Sequence, residues 1–140
     1  MLSELSSTTL DPFRRVLNAA IRLVAGLGTR DHMTEQMKKL HWLPIKYRIN
    51  FKLCLMMHAA VTDQCPQYIR DIVHPLSTLP GRNRLRAAAS CQFDITRTRT
   101  VFGERAFSVA GPGEWNTLPQ DITDITNREA FKRALKTCYF

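Results

Sequence analysis

The chain has 140 residues, with 20 Lys+Arg against 12 Asp+Glu and a formal net charge of +8. That length is typical of one domain, and 44% hydrophobic residues supply one core, which excludes a disordered polyelectrolyte. Only 6 Gly and 7 Pro exclude a collagen-like or low-complexity chain. The excess positive charge makes a polyanion, most often nucleic acid, the first partner to consider.

The N-terminal residues do not resemble a targeting segment. The first ten are polar and include Glu4, whereas a secretory signal needs a cationic start and a long apolar run. The most apolar stretch, 53–61, contains His58 and is much shorter than the roughly 20 residues of a membrane-spanning helix. We therefore expect an intracellular protein, nuclear or cytoplasmic, with no membrane partner. The cysteines have no CxxC pair, so we expect reduced thiols: Cys54, Cys65, Cys91 and Cys138.

The sequence predicts a loose leader over 1–9 and one helical domain over 10–140. Asp11-Pro12 predicts the start of the first helix, because Asp is a good N-cap and Pro is tolerated at the first helical position. Gly26 indicates its end. Between these points an apolar stripe recurs at helical spacing: Phe13, Val16, Leu17, Ala20, Ile21 and Val24.

The helical half extends to residue 80. A short helix is predicted over 33–40, and Pro44 starts a longer one that runs to about Val61. The second half of this longer helix is apolar nearly all round, which predicts a central position in the core. A fourth short helix follows over 65–73.

The segment 81–102 has a different character. It is rich in Arg and Thr and alternates weakly, which predicts a β-ribbon or hairpin near 82–101. The predicted fold class is therefore mostly α, a small domain of about five or six helices with one short β element.

Helices resume over 103–140. Gly111-Pro112-Gly113 is expected to interrupt the first of them before Trp115. Thr126 and Glu129 have the spacing of a capping box, which predicts a final helix over about 127–138.

No motif for catalysis or nucleotide binding is present. Two-metal polymerase chemistry needs closely placed carboxylates, but the sequence has no Asp-Asp or Asp-x-Asp. The nearest acidic pair, Asp121 and Asp124, falls in an expected turn. Neither GxxxxGK[ST] nor GxGxxG occurs. We assign no catalytic residue and no cofactor, and we expect that the chain is not an enzyme.

One group of residues has side chains that can ligate a metal. Cys54 and His58 lie four apart on one predicted helix, and Cys65 follows soon after. They lack the paired spacing of a structural zinc site, and their helix is apolar on nearly every side. Core packing is therefore favoured over metal binding, and no metal site is assigned.

The positive charge is uneven along the chain. Residues 1–62 hold nine Lys/Arg and four acids, for a net +5, and residues 82–105 hold six Arg and two acids, for a net +4. Residues 106–140 hold four of each and cancel. Fourteen of the twenty basic residues are Arg, whose planar guanidinium suits phosphate.

The two basic segments supply candidate phosphate ligands. In an extended segment, Arg at every second position points to one side. Such a row of guanidinium groups can bind phosphates. Alternatively, it belongs to a solvated edge strand whose charge prevents aggregation. The residues alone favour neither phosphate binding nor the edge strand. The candidates for nucleic-acid binding are Arg14, Arg15, Lys46, Arg48, Lys52, Arg82, Arg84, Arg86, Arg97 and Arg99.

From residue 10 onward several phrases occur together in the order and at the separations of one family. They are Asn18-Ala19-Ala20-Ile21-Arg22-Leu23-Val24, Arg30-Asp31-His32-Met33-Thr34, Leu40-His41-Trp42-Leu43-Pro44-Ile45-Lys46-Tyr47-Arg48-Ile49, Cys65-Pro66-Gln67-Tyr68-Ile69, Gly103-Glu104-Arg105-Ala106-Phe107-Ser108-Val109-Ala110, Trp115-Asn116-Thr117-Leu118-Pro119 and Phe131-Lys132-Arg133-Ala134-Leu135-Lys136. The chain resembles the region after the polymerase core in reverse transcriptases of LINE-type non-LTR retrotransposons, of the jockey and chicken-repeat groups. One departure is Gly111-Pro112-Gly113-Glu114-Trp115, where the family pattern reads Ala-Pro-x-Leu-Trp.

The resemblance implies a remnant of a larger protein. The catalytic aspartates of such a polymerase lie upstream of the matched region. We therefore expect a non-catalytic module that binds RNA or DNA. The alternatives are a structural domain that packs on the missing polymerase core, and a decayed element with no selected function. Trp42 and Trp115 are candidate partner-packing residues for the first alternative, although either can be an ordinary core aromatic. The residues do not predict an oligomeric state.

Overall fold

The computed structural model of the chain describes residues 7–79 and 92–140. In these residues the protein is mostly α, as the sequence predicts. Four helices of ten residues or more form the body, and short helical turns connect them. The α-helices are α1 (Ser7–Ala25), α2 (Thr34–Lys39), α3 (Ile45–Val61), α4 (Gln67–Asp71), α5 (Val101–Glu104), α6 (Phe107–Asn116), α7 (Gln120–Thr123) and α8 (Arg128–Cys138), with a 3₁₀ turn at Leu76–Thr78.

Helix α3 lies at the centre of the fold. It packs against α6 and α8 on one side, and α1 contacts it on another. Cys54, Met57 and His58 are buried toward α6 and α8. The prediction of a central third helix is confirmed, because a helix that is apolar on several faces needs neighbours on each of them.

A column of rings joins α3, α6 and α8. Trp115 stacks on Phe131 with ring centroids 5.7 Å apart, and Phe131 stacks on His58 at 4.2 Å. Phe93 meets the edge of Trp115 at 6.3 Å. All four side chains are buried. Aromatic burial of this kind supplies a large share of a small core's stability.

The interruption expected at Gly111-Pro112-Gly113 is wrong, because α6 continues through all three residues. Pro112 has no N–H for the helical ladder, but it is fully buried and its packing offsets that loss. A Cβ at Gly111 would lie 2.8 Å from Phe107 Cε2 and 3.0 Å from Met57 Sδ. Glycine therefore lets α6 approach α3 closely, a tertiary reason that local propensity does not contain.

In the described part of the predicted ribbon, the β element is one isolated bridge. Residues 92–101 form no strand there, and Phe93 makes a single antiparallel bridge with Pro75. The backbone N–H of Asp94 donates to the carbonyl of His74 at 2.8 Å. On the other edge, Asn116 Oδ1 accepts from the Phe93 N–H and its Nδ2 donates to the Phe93 carbonyl. The amide side chain thus takes the place of a second strand. Residues 82–91 lie outside the described residues.

Helix α1 begins earlier than predicted, so residues 7–9 of the expected leader are helical. Pro12 falls inside the helix instead of at its first position. The additional turn positions Leu10, which is buried. Burial of this leucine offsets the hydrogen bond that Pro12 cannot make.

Three helices end in a residue with left-handed backbone. Gly26 follows α1 with φ of 63°, His41 follows α2 with 52° and Asp63 follows α3 with 56°. After α2, the Trp42 N–H donates to the Met37 carbonyl at 2.8 Å, which closes the motif. The glycine signal found only the first of these ends.

The final helix forms close to its predicted bounds, but its cap is Asn127 and not Thr126. The Asn127 side chain accepts from the backbone N–H of Glu129 and of Ala130, each at 3.0 Å. An amide oxygen performs this role as well as a hydroxyl does.

Candidate nucleic-acid interface

The crossing of α1 on α3 creates two hollows on the surface. Leu10 of α1 and Ile45 of α3 line both of them, so the hollows adjoin each other. One hollow carries cations beside polar groups, and the other is almost wholly apolar. We call the first the cationic notch and the second the apolar groove.

The cationic notch has a volume of about 230 Å³. Arg14 of α1 and Lys46 of α3 both line it, although 32 positions separate them in the sequence. The complete lining is Leu10, Arg14, Leu17, Asn18, Met33, Met37, Pro44, Ile45 and Lys46. The fold therefore brings two of the predicted phosphate ligands together.

The electrostatics of the notch favour an anion. Lys46 and Arg48 lie at the start of α3, whose first turn has no acidic residue and whose N-cap, Pro44, has no capping side chain. The positive end of the helix dipole lies beside these cations, which increases the positive potential there. Arg14 is exposed and pairs with Asp11 at 3.4 Å, an ion pair that water screens strongly. Among the described residues, no ion pair neutralises Lys46.

The apolar groove has a volume of about 430 Å³. Side chains of α1 and α3 line it, and Arg48 and Lys52 are its charged members. The complete lining is Leu10, Phe13, Ile45, Arg48, Ile49, Lys52, Leu53 and Met56. The predicted set of basic residues on α3 is thus divided between two different environments.

Arg48 is held in place by its neighbours. Its Nε donates to the Leu43 carbonyl at 2.8 Å, and its guanidinium lies 5.9 Å from the centre of the Trp42 ring. With this cation–π contact made, the Arg48 side chain is still exposed at the surface. Trp42 is half-buried and positions a cation within the same chain.

The other basic candidates lie apart from the notch. Arg15 is exposed on α1 but lines neither hollow. Arg97 and Arg99 are exposed on either side of Thr98, and Thr98 packs at Gly103 of α5, next to α6. Three further candidates lie outside the described residues: Arg82, Arg84 and Arg86.

Trp115 is too deeply buried to pack against another protein. It is only 1% exposed and forms the middle of the ring column between Phe93 and Phe131. The core alternative is therefore correct for this tryptophan, because no surface of its ring remains for another protein.

Cys54 and His58 have partners within the core. His58 Nε2 donates to the Ile125 carbonyl at 2.8 Å, and Cys54 Sγ lies 3.5 Å from the Tyr139 hydroxyl. Burial raises the pKa of the Cys54 thiol to about 11, which keeps it protonated. In the part of the chain that the structure describes, no group of three His, Cys, Asp or Glu side chains is placed to hold a metal ion.

An exposed apolar strip on α1 was missed by sequence reasoning. Of the predicted stripe, Leu17 and Ile21 are buried, whereas Phe13, Val16 and Val24 are exposed, as is the neighbouring Leu23. At 3.6 residues per turn the buried and exposed apolar side chains together cover about 160° of the helix circumference. A helix on the surface of a core buries only roughly 100° of it. An apolar stripe wider than one core-facing side therefore predicts, from the sequence, that some of its residues are exposed.

The comparisons with known proteins give no family assignment. No protein-family model, curated protein or solved structure matches the chain. Among the described helices, none has the length and apolar character needed to cross a bilayer.

Proposed function

We propose that this chain is a non-catalytic nucleic-acid-binding module, derived from the C-terminal region of a LINE-type reverse transcriptase. In this proposal the cationic notch binds a backbone phosphate. The observation that carries the proposal is the convergence of Arg14 and Lys46 on one small cavity from two different helices.

The chemistry of the notch fits a phosphodiester. Arg offers two parallel N–H donors to the phosphate oxygens, and Lys offers a compact charge from the opposite wall. The uncapped start of α3 adds backbone N–H groups and the positive end of its dipole. Both cations are exposed, so binding does not require the fold to open.

Neighbouring cations extend the positive surface beyond the notch. Arg15 lies next to Arg14 on α1, and Arg48 is held on the first turns of α3 by Trp42 and Leu43. Charges that do not touch the ligand still raise its local concentration and its association rate. The C-terminal quarter, residues 106–140, has no net charge.

The family resemblance supports the same function. Trp42, Pro44, Lys46 and Arg48 all belong to one of its phrases, so the residues that build the start of α3 are those that the resemblance covers. A region beside a polymerase core works next to a template and primer, whose phosphates are the ligands that the notch suits.

Salt dependence of binding tests the proposal. The chain is titrated against structured RNA and against duplex DNA by filter binding between about 50 and 200 mM salt. We expect the logarithm of affinity to fall with the logarithm of salt with a slope of about −0.7 to −0.9 or steeper, because each phosphate contact contributes roughly that amount and the notch supplies one. A peptide nucleic acid of the same base sequence, which has an uncharged backbone, is the control. Equal affinity for the charged and uncharged strands would contradict the proposal.

A further inference from the structure

The apolar groove and the exposed strip of α1 meet at one residue. Phe13 belongs to both, since it lines the groove and is 56% exposed. From Phe13 the strip continues along α1 through Val16 to Leu23, which is 85% exposed, and Val24. Isolated exposed hydrophobic residues are ordinary, but a contiguous apolar surface marks an interaction site.

The dimensions of this surface indicate its occupant. The wall that α3 gives the groove runs from Ile45 to Met56, eleven residues apart, which corresponds to about 16 Å at 1.5 Å per residue, or three helical turns. A helix of three to four turns matches the length of this wall, with apolar side chains at i, i+3 or i+4, and i+7 directed into the groove.

The charges at the groove indicate which kind of helix fits. Arg48 and Lys52 lie one turn apart on α3, and the groove lining contains no acidic side chain. A second copy of the same surface would bring these cations together with no carboxylate from either groove. A partner with carboxylates four residues apart on its own helix would pair with both cations and keep like charges separate.

We propose that the α1–α3 groove binds an amphipathic helix of another protein, with an apolar face and acidic residues along one edge. This interaction goes beyond the proposed nucleic-acid binding, because the groove shares only Leu10 and Ile45 with the notch, and its cations Arg48 and Lys52 do not line the notch. The chain then has two binding surfaces, one for phosphate and one for an acidic helix.

The test uses two designed peptides and the full chain. Both are capped 16-residue Ala-based helices with leucines at i, i+4, i+7 and i+11. One has glutamates at i+1 and i+5, and the other has lysines at the same positions. Binding is measured by fluorescence anisotropy. We expect the acidic peptide to bind at least about tenfold more tightly than the lysine peptide, because both groove cations select for carboxylate.

Substitutions assign the binding to the groove. Lys52→Glu should reduce the preference for the acidic peptide at least about tenfold, and a reversal of preference shows that the protein still folds. Phe13→Ser should weaken binding of the acidic peptide about fivefold or more, whereas Phe102→Ser on α5, where Phe102 is 82% exposed, should leave it unchanged.

Three results would overturn the proposal. The first is equal binding of the two peptides. The second is self-association of the chain in sedimentation velocity that Phe13→Ser abolishes, which assigns the surface to a second copy. The third is loss of single-stranded RNA binding in Phe13→Ser, which assigns the groove to unstacked bases.

Discussion

The two sides of α3 differ in how completely the fold uses them. On the side of α6 and α8, Trp115, Phe131 and Met57 are fully buried and glycine at 111 permits close packing. On the side of α1, apolar residues remain exposed beside several cations. One side supplies stability, and the other retains the apolar and charged groups on which the two binding proposals depend. We therefore expect substitutions on the side of α6 and α8 to change stability, and substitutions on the side of α1 to change binding.

The largest effect is expected at the ring column. Trp115→Ala removes the ring between Phe93 and Phe131 and should cost about 3–5 kcal/mol of unfolding free energy, measured by urea denaturation. Phe102→Ala is the control, because its ring is exposed and the change should stay within about 0.5 kcal/mol. Similar losses for the two variants would show that Trp115 is not part of a packed core.

Helix α1 contains both environments within a single turn. Ile21 is fully buried and Leu23 is largely exposed. We expect Ile21→Ala to cost about 2–4 kcal/mol and Leu23→Ala to change stability by less than about 0.5 kcal/mol. Thermal and urea unfolding of the pair measure the difference. If Leu23→Ala proved as destabilising as Ile21→Ala, the exposed strip would have a structural partner within the chain.

The pH dependence of stability tests the burial of Cys54. Its folded pKa of about 11 lies above the ordinary thiol value of 9.0, so the protonated thiol contributes stability that is complete below pH 9 and is lost as pH rises toward 11. The loss should reach about 2 kcal/mol at pH 11. Burial also raises the pKa of the Tyr139 hydroxyl, so its ionisation destabilises the fold at high pH as that of Cys54 does. Cys54→Ala should show a smaller decline over this interval, and parallel curves would argue against a buried thiol.

Two glycines in α6 should respond in opposite directions. Gly111→Ala places a methyl group against Phe107 and Met57 and should destabilise the protein by about 1–2 kcal/mol after the gain in helix propensity. Gly113→Ala meets nothing within 4 Å and should stabilise it by about 0.5–1 kcal/mol. Melting temperatures of the two variants suffice as a measurement. The same sign for both would contradict the close approach of α6 to α3.

The sequence predicted those parts of the fold that depend on local patterns. Helix α3 begins after Pro44 as expected, because a fixed proline φ and a following apolar periodicity are local signals. The continuation of α6 through Pro112 was not predicted, since it depends on contact with Met57 far away in the sequence. The left-handed ends at His41 and Asp63 were missed because glycine is the usual signal for that conformation.

The candidate site was predictable only in its components. The basic residues of α1 and α3 are visible in the sequence, and their exposure follows from their charge. That Arg14 and Lys46 line one notch while Lys52 lines an apolar groove depends on the position where α1 crosses α3. No periodicity determines that crossing. Trp115 illustrates the reverse error, because a conspicuous aromatic was a candidate for a surface role and lies in the core.

The most direct measurement compares two double variants in binding to one structured RNA at about 50 mM salt, where phosphate contacts contribute most. Arg14→Gln with Lys46→Gln removes both cations of the notch, and Arg128→Gln with Arg133→Gln removes the same charge from exposed positions on α8. We predict a loss of affinity of roughly tenfold or more for the first pair and less than about twofold for the second. Equal losses would mean that net charge alone attracts the RNA, and the notch would then not be its binding site.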